Sequence, residues 1–125
     1  MKAAHVVAHR QIEVFETDAP KMEDFPVGSI KVKTRMTAIC GSDSPHFVLE
    51  RQAKDYPLNI GISIHECVGT VTETRSDKFK AGDLVQARPT AGIGGLAEYY
   101  ISHDNVAVKL VDFSPLDQIL MSQPL

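Results

Sequence analysis

The 125-residue chain lacks any apolar run that approaches the roughly 20 residues needed for a membrane-spanning helix. Its N-terminus, "MKAAHVVAHRQ", meets polar residues too early to be typical of a secretory signal peptide. The sequence therefore predicts a cytoplasmic protein that has no membrane partner.

Dense basic clusters are also lacking. The chain has 13 Lys and Arg against 16 Asp and Glu, which gives a net charge of -3, and no basic cluster is denser than "KVKTR" at Lys31 to Arg35. The alternation within that stretch is typical of one solvent-facing side of a strand. Because nucleic-acid binding depends on concentrated positive charge, the composition argues against a nucleic-acid partner.

Cysteine is scarce, with only Cys40 and Cys67 in the chain. The sequence is 43% hydrophobic, which is enough to build a core without a disulfide, and the cytosol is reducing. Two free thiols are therefore expected. The length predicts one compact domain, since domains commonly contain roughly 100 to 150 residues.

Short stretches of alternating apolar and polar residues, interrupted by Gly, Pro, Asp or Asn, fill most of the chain. This pattern predicts about seven or eight short antiparallel strands in a barrel or sandwich, with short helices. One strong strand signal runs from Ser29 to Cys40 and another from Ser63 to Arg75. Gly69 lies inside the second and indicates a bulge or a close backbone approach. A short helix with Pro45 in its first turn is expected after Cys40.

Three residues have side chains that zinc prefers as ligands: Cys40, His65 and Glu66. If their strands pair, all three could face one cleft. The spacing matches no zinc-finger pattern, however. Spacing alone therefore leaves open the alternative that Cys40 is a small buried residue, His65 is structural and Glu66 is a solvated charge.

Four segments occur in an order that favours the metal interpretation, and together they cover nearly the whole chain. They read "AICGSD", "IHECVGTV", "KFKAGDLV" and "GGLAEYYISHDNVAVKL". The first resembles the Cys-Gly-Ser/Thr-Asp zinc-ligand segment of the zinc-containing medium-chain dehydrogenases, and the second resembles their Gly-His-Glu segment. The third and fourth are similar to the family's Phe-Lys-x-Gly-Asp-x-Val turn and its Gly-Gly-Phe-Ala-Glu-Tyr segment.

The resemblance implies a mainly β fold, a GroES-like antiparallel β-barrel catalytic domain over residues 1–125. Residues 115–125, where a helix is predicted from Ser114, would begin the linker to a Rossmann domain. No strand-linked GxGxxG occurs in the chain, so NAD or NADP would bind mainly to that absent domain. The implied reaction is zinc-dependent oxidation of a small alcohol or polyol, and the complete protein could form homo-oligomers.

The resemblance also implies roles for individual residues. Cys40 and His65 would be zinc ligands, and Glu66 would lie beside the metal, able to ligate it or to exchange with water. Ser42 would take the proton from the alcohol. Asp43 would orient His65 through the imidazole nitrogen that does not bind metal.

Two departures from the family pattern affect the expected metal site. Gln123 stands where polyol and threonine dehydrogenase relatives have a glutamate, so Gln123 or water is expected as the fourth ligand; the alternative is that Gln123 caps a helix end. The chain also lacks the four-cysteine lobe that binds a second zinc in many members, so one zinc is expected. Cys67 is interpreted as a strand-core residue near the site.

Two other functions remain open on the sequence. One is a zinc-free, NADPH-dependent quinone or enone reductase of the same superfamily, in which the barrel only shapes a substrate cleft. The other is a non-enzymatic GroES-like binding module. Such a module would have no reason to place Cys-Gly-Ser-Asp and His-Glu on converging strands.

Overall fold

The computed structural model describes residues 1–111, which form two antiparallel β-sheets. The first sheet pairs β1 with β2, and the second contains β3 to β7. Their bounds are β1 (Lys2–Ala8), β2 (Gln11–Glu16), β3 (Ser29–Ala38), β4 (Glu66–Thr74), β5 (Leu84–Ala87), β6 (Tyr99–His103) and β7 (Ala107–Lys109). The spatial order of the larger sheet is β6-β3-β4-β5-β7. This arrangement confirms the predicted antiparallel, mainly β plan.

One short helix, α1 (Ser44–Val48), follows β3. Pro45 lies in its first turn, as predicted, where the missing backbone N–H costs no hydrogen bond. The predicted helix from Ser114, the linker 115–125 and Gln123 lie outside the described residues. No helix within residues 1–111 has both the length and the apolar character required to cross a membrane.

The core lies between the two sheets and is built from inward-facing strand residues. Val6 of β1 packs with Ile30 and Val32 of β3, Val71 of β4 and Tyr100 of β6, and each of them is at most 1% exposed. The buried Tyr100 hydroxyl donates a hydrogen bond to the Ala87 carbonyl (2.9 Å), which satisfies its polar tip. Burial raises the pKa of Tyr100 well above its ordinary value.

The predicted alternation along β3 holds for its first half and fails for its second. Ile30 and Val32 are buried, but Met36 is 37% exposed. The pairing of β3 with β4 shifts between Lys31 and Val32 and again between Thr34 and Met36, so the side-chain alternation is interrupted. The strand ends at Ala38 rather than at the predicted Cys40.

Gly69 lies opposite the second of these shifts. A Cβ atom at this position would overlap the Lys33 carbonyl and the Val32 side chain. Its backbone therefore approaches β3 more closely than any other residue type would allow, which confirms the predicted close approach.

Candidate active site

The register of β3 and β4 brings two loops to the same end of the larger sheet. Ala38, the last residue of β3, pairs with Glu66, the first residue of β4. Cys40 lies two residues beyond that pair and His65 one residue before it. The Cys40 Sγ and the His65 Nε2 are consequently 3.9 Å apart, although 25 residues separate them in the sequence.

Asp43 links these two loops. Asp43 is 4% exposed, and both of its carboxylate oxygens have partners. Oδ2 accepts a hydrogen bond from the backbone N–H of Cys40 (2.9 Å), and Oδ1 accepts one from the Ser63 hydroxyl (3.0 Å). A buried carboxylate is costly unless it is hydrogen-bonded, so these two contacts hold the Cys40 loop against the residues that precede β4.

The orientation of His65 depends on the same neighbours. Its Nδ1 lies 3.2 Å from the Ser63 carbonyl oxygen and 4.0 Å from the Asp43 Oδ1. With the proton on Nδ1, the ring donates to the nearer acceptor, Ser63, and leaves Nε2 available towards Cys40. The predicted orienting contact from Asp43 is thus the longer of the two.

The donor atoms around this pair suit a small metal ion. Ligand atoms of Cys40, Asp43 and His65 all lie within 4.8 Å of one another. Zinc bonds of about 2.3 Å to sulfur and about 2.0 Å to nitrogen place two tetrahedral donors about 3.5 Å apart. The 3.9 Å between Cys40 and His65 is within a few tenths of that distance. Thiolate, imidazole and carboxylate are also the donors that zinc prefers, so these residues fit the ion.

Glu66 is 2% exposed, which overturns the alternative that it is a solvated charge. Within the described part of the chain, its Oε2 is buried and has no hydrogen-bond partner. It is not among the three residues whose donor atoms cluster within 4.8 Å. A buried carboxylate oxygen is costly when it has no partner, so Oε2 is available to a cation or to a hydrogen-bond donor.

Ser42 lies at the entrance of the site. Its hydroxyl is 2.9 Å from the Cys40 Sγ, and it lines an open cleft of about 360 Å³ together with Ser63 and His65. The cleft continues past His46 and Arg88. The hydroxyl is thus exposed to whatever small molecule enters the cleft.

The second cysteine has a different environment. Cys67 is 1% exposed, and desolvation by burial raises the pKa of its thiol to about 11. A hydrogen bond with the Thr37 hydroxyl lowers this pKa and partly offsets the rise. It does not belong to the donor cluster of Cys40 and His65. Its interpretation as a strand-core residue is confirmed.

Three residues at the site were missed by the sequence reasoning: Ser63, His46 and Arg88. Ser63 supplies both the carbonyl facing His65 and the hydroxyl bound to Asp43. Arg88 lines the cleft from a segment distant in sequence, and His46 lines it from α1. No motif marks them, because their positions depend on how the loops cross the sheet end.

The family of the chain follows from a match over most of its length. A family model described as "Alcohol dehydrogenase GroES-like domain" matches residues 26–112. The chain belongs to this family. The predicted membership of the medium-chain dehydrogenases and the GroES-like fold are both confirmed.

Solved structures share the fold at low sequence identity. 2R,3R-butanediol dehydrogenase from Bacillus subtilis is 22% identical with a TM-score of 0.75, over 95% of this chain and 43% of that one. Galactitol-1-phosphate dehydrogenase from Escherichia coli is 20% identical with a TM-score of 0.78, over 97% of this chain and 41% of that one. Quinone oxidoreductase from Pseudomonas syringae pv. tomato DC3000 is 21% identical with a TM-score of 0.63, over 94% and 36%.

The chain therefore spans less than half the length of these three proteins. A comparison with curated proteins finds no match. All three proteins share the fold of this chain.

Proposed function

We propose that the chain is the catalytic domain of a zinc-dependent dehydrogenase that oxidises a small alcohol and passes the hydride to NAD or NADP. The observation that carries this proposal is the Cys40–His65 pair, 3.9 Å apart on two loops that Asp43 ties together at the wall of an open cleft. A thiol and an imidazole held in this way have no evident structural purpose at a sheet end.

Each residue of the site has a separate role in the proposed reaction. Cys40 and His65 would hold the zinc, with a carboxylate from Glu66 or Asp43 nearby. Zinc held there would supply Lewis acidity, which lowers the pKa of an alcohol oxygen. The exposed Ser42 hydroxyl can accept the alcohol proton and release it to water. A Rossmann domain of the complete protein would bind the nicotinamide, because residues 1–125 contain no strand-linked GxGxxG sequence.

A zinc-free quinone or enone reductase is the second candidate function. It is favoured by one observation, the shared fold of the Pseudomonas syringae quinone oxidoreductase. The two candidates differ in whether Cys40 binds metal. Zinc content therefore separates them without any assay of turnover.

The test is the zinc content of the purified 125-residue chain after loading with zinc and removal of free metal, measured by mass spectrometry. We expect about one zinc per chain. Removing a hydrogen-bond partner of a ligand weakens metal affinity roughly 10- to 100-fold, so removing the ligands in Cys40→Ser or His65→Ala should weaken it further.

Cys67→Ser is the matched control, because it also removes a thiol but one that lies outside the donor cluster. It should retain the metal. Far-ultraviolet circular dichroism would show that each variant remains folded. Full zinc retention by folded Cys40→Ser, or no zinc in the wild-type chain, would contradict the proposal and favour the reductase.

A further inference from the structure

The wall of the cleft beside Ser42 and His65 contains an arginine, and the buried Asp43 carboxylate next to the cleft already accepts hydrogen bonds from Cys40 and Ser63. Arg88 and His46 line the cleft, and none of the described residues that line it is Asp or Glu. Arg88 also has no salt-bridge partner within residues 1–111. The guanidinium group of arginine is charged near neutral pH. The cleft wall therefore offers a free guanidinium charge.

The backbone of Arg88 is fixed although its side chain is exposed. Arg88 directly follows β5 (Leu84–Ala87), and its N–H donates to the Val106 carbonyl (3.2 Å). Its own carbonyl accepts a hydrogen bond from the Ser102 hydroxyl (2.6 Å). The backbone of Arg88 is thus already ordered before a ligand binds, and only its side chain remains to be ordered.

A second cleft of about 290 Å³ adjoins the first and shares residues with it, among them His46 and Ser63. It adds Arg51 and Asp55. The Asp55 carboxylate already accepts a hydrogen bond from the backbone N–H of Gln52 (3.2 Å). The combined groove therefore has an arginine in each part and one carboxylate, which is already engaged.

We infer that Arg88 makes this cleft selective for alcohols that carry an anionic group, a phosphate or a carboxylate. The planar guanidinium binds either group through two parallel hydrogen bonds. The inference rests on the proposed function, which places the alcohol end of the substrate at Cys40 and His65. Its anionic end would then extend along the wall lined by Arg88 and His46.

A nicotinamide dinucleotide also carries phosphates and is the other source of an anion. Arg88 shares the cleft with Ser42 and His65, where the alcohol would react. For this reason the charge is assigned to the substrate, and a nucleotide diphosphate serves as the discriminating probe.

The experiment uses the metal-free, ¹⁵N-labelled chain in a chelator, so that no anion can bind through zinc. Glycerol 3-phosphate is titrated against glycerol and ADP, and the amide signals of cleft residues such as Ser63 and Gly94 are followed. Glycerol 3-phosphate should shift them saturably, and glycerol should not. Because hydrogen bonds to charged groups contribute about 1.5–3 kcal/mol, Arg88→Gln should weaken binding of glycerol 3-phosphate at least about tenfold.

Arg35→Gln is the matched control, since it removes the same charge from an exposed arginine on β3 that lines neither cleft. It should leave the dissociation constant unchanged. Equal weakening in both variants, or equal binding of glycerol, would overturn the inference. Binding of ADP that depends on Arg88, without binding of glycerol 3-phosphate, would assign Arg88 to the cofactor instead.

The outcome is separate from the zinc measurement. If Cys40→Ser retains zinc and the binding of glycerol 3-phosphate still depends on Arg88, the proposed function is contradicted but the anion site is supported. If zinc binding requires Cys40 but no anion binds, only the proposed substrate class is contradicted.

Discussion

Cys40 and Cys67 have the same side chain in two opposite environments at one end of the larger sheet. Cys67 lies inside β4, paired with Thr37, and is 1% exposed. Cys40 lies two residues after β3 ends, in a loop where its sulfur contacts Ser42 and faces His65. The two thiols therefore differ in accessibility because of their positions. Cys40 lies beyond the end of β3 and can react, whereas Cys67 lies within β4 and is buried.

The largest expected contrast is in thiol reactivity. A thiol with a pKa of about 11 has, near neutral pH, a thiolate fraction about 100-fold lower than an ordinary thiol of pKa about 9. Burial of Cys67 slows attack further. In the metal-free chain, a disulfide reagent should therefore modify the half-buried Cys40 at least about tenfold faster than the buried Cys67, as followed by peptide mass spectrometry. Comparable modification rates for both thiols in the folded chain would contradict the proposed difference in their reactivity.

A smaller contrast is expected in packing, tested with the same substitution in each region. A Cβ atom on Gly95 would overlap the Cys67 Sγ and lie 2.9 Å from the Thr37 hydroxyl, whereas a Cβ atom on Gly41, next to Cys40, would meet nothing within 4 Å. Overfilling a packed core costs roughly 1–3 kcal/mol, so Gly95→Ala should lower the free energy of unfolding by about that amount. Gly41→Ala should change it by less than about 0.5 kcal/mol.

Urea unfolding followed by circular dichroism measures both values. Two substitutions of equal cost would mean that the Cys40 loop is packed as tightly as the sheet, and the comparison would fail.

The strand pattern was predictable because apolar alternation and Gly or Asp turns are local signals. The pairing of β1 with β2 and the turn into β5 follow from such signals. The exposure of Met36 was not predictable, because it results from pairing shifts between β3 and β4 that depend on the partner strand. The burial of Glu66 could not be predicted from the local sequence for a related reason, since a charge at a strand start carries no local sign of its surroundings; only the family resemblance placed Glu66 beside the metal.

The candidate site was predictable only through family resemblance. Spacing alone could not decide whether Cys40 and His65 meet, because 25 intervening residues permit many arrangements. Once Ala38 pairs with Glu66, the meeting follows from the register. The part played by Ser63 depends on loop geometry at the level of single hydrogen bonds, which no sequence pattern specifies.

The central claim, that Cys40 in its loop is a metal ligand while Cys67 in its strand is not, is tested most directly by cobalt substitution. Bound Co²⁺ gives a near-ultraviolet absorption band when a thiolate is among its ligands. We expect this band in the wild-type chain and in Cys67→Ser, and its loss in Cys40→Ser. A band that persists in folded Cys40→Ser, or one that disappears in Cys67→Ser instead, would contradict the account.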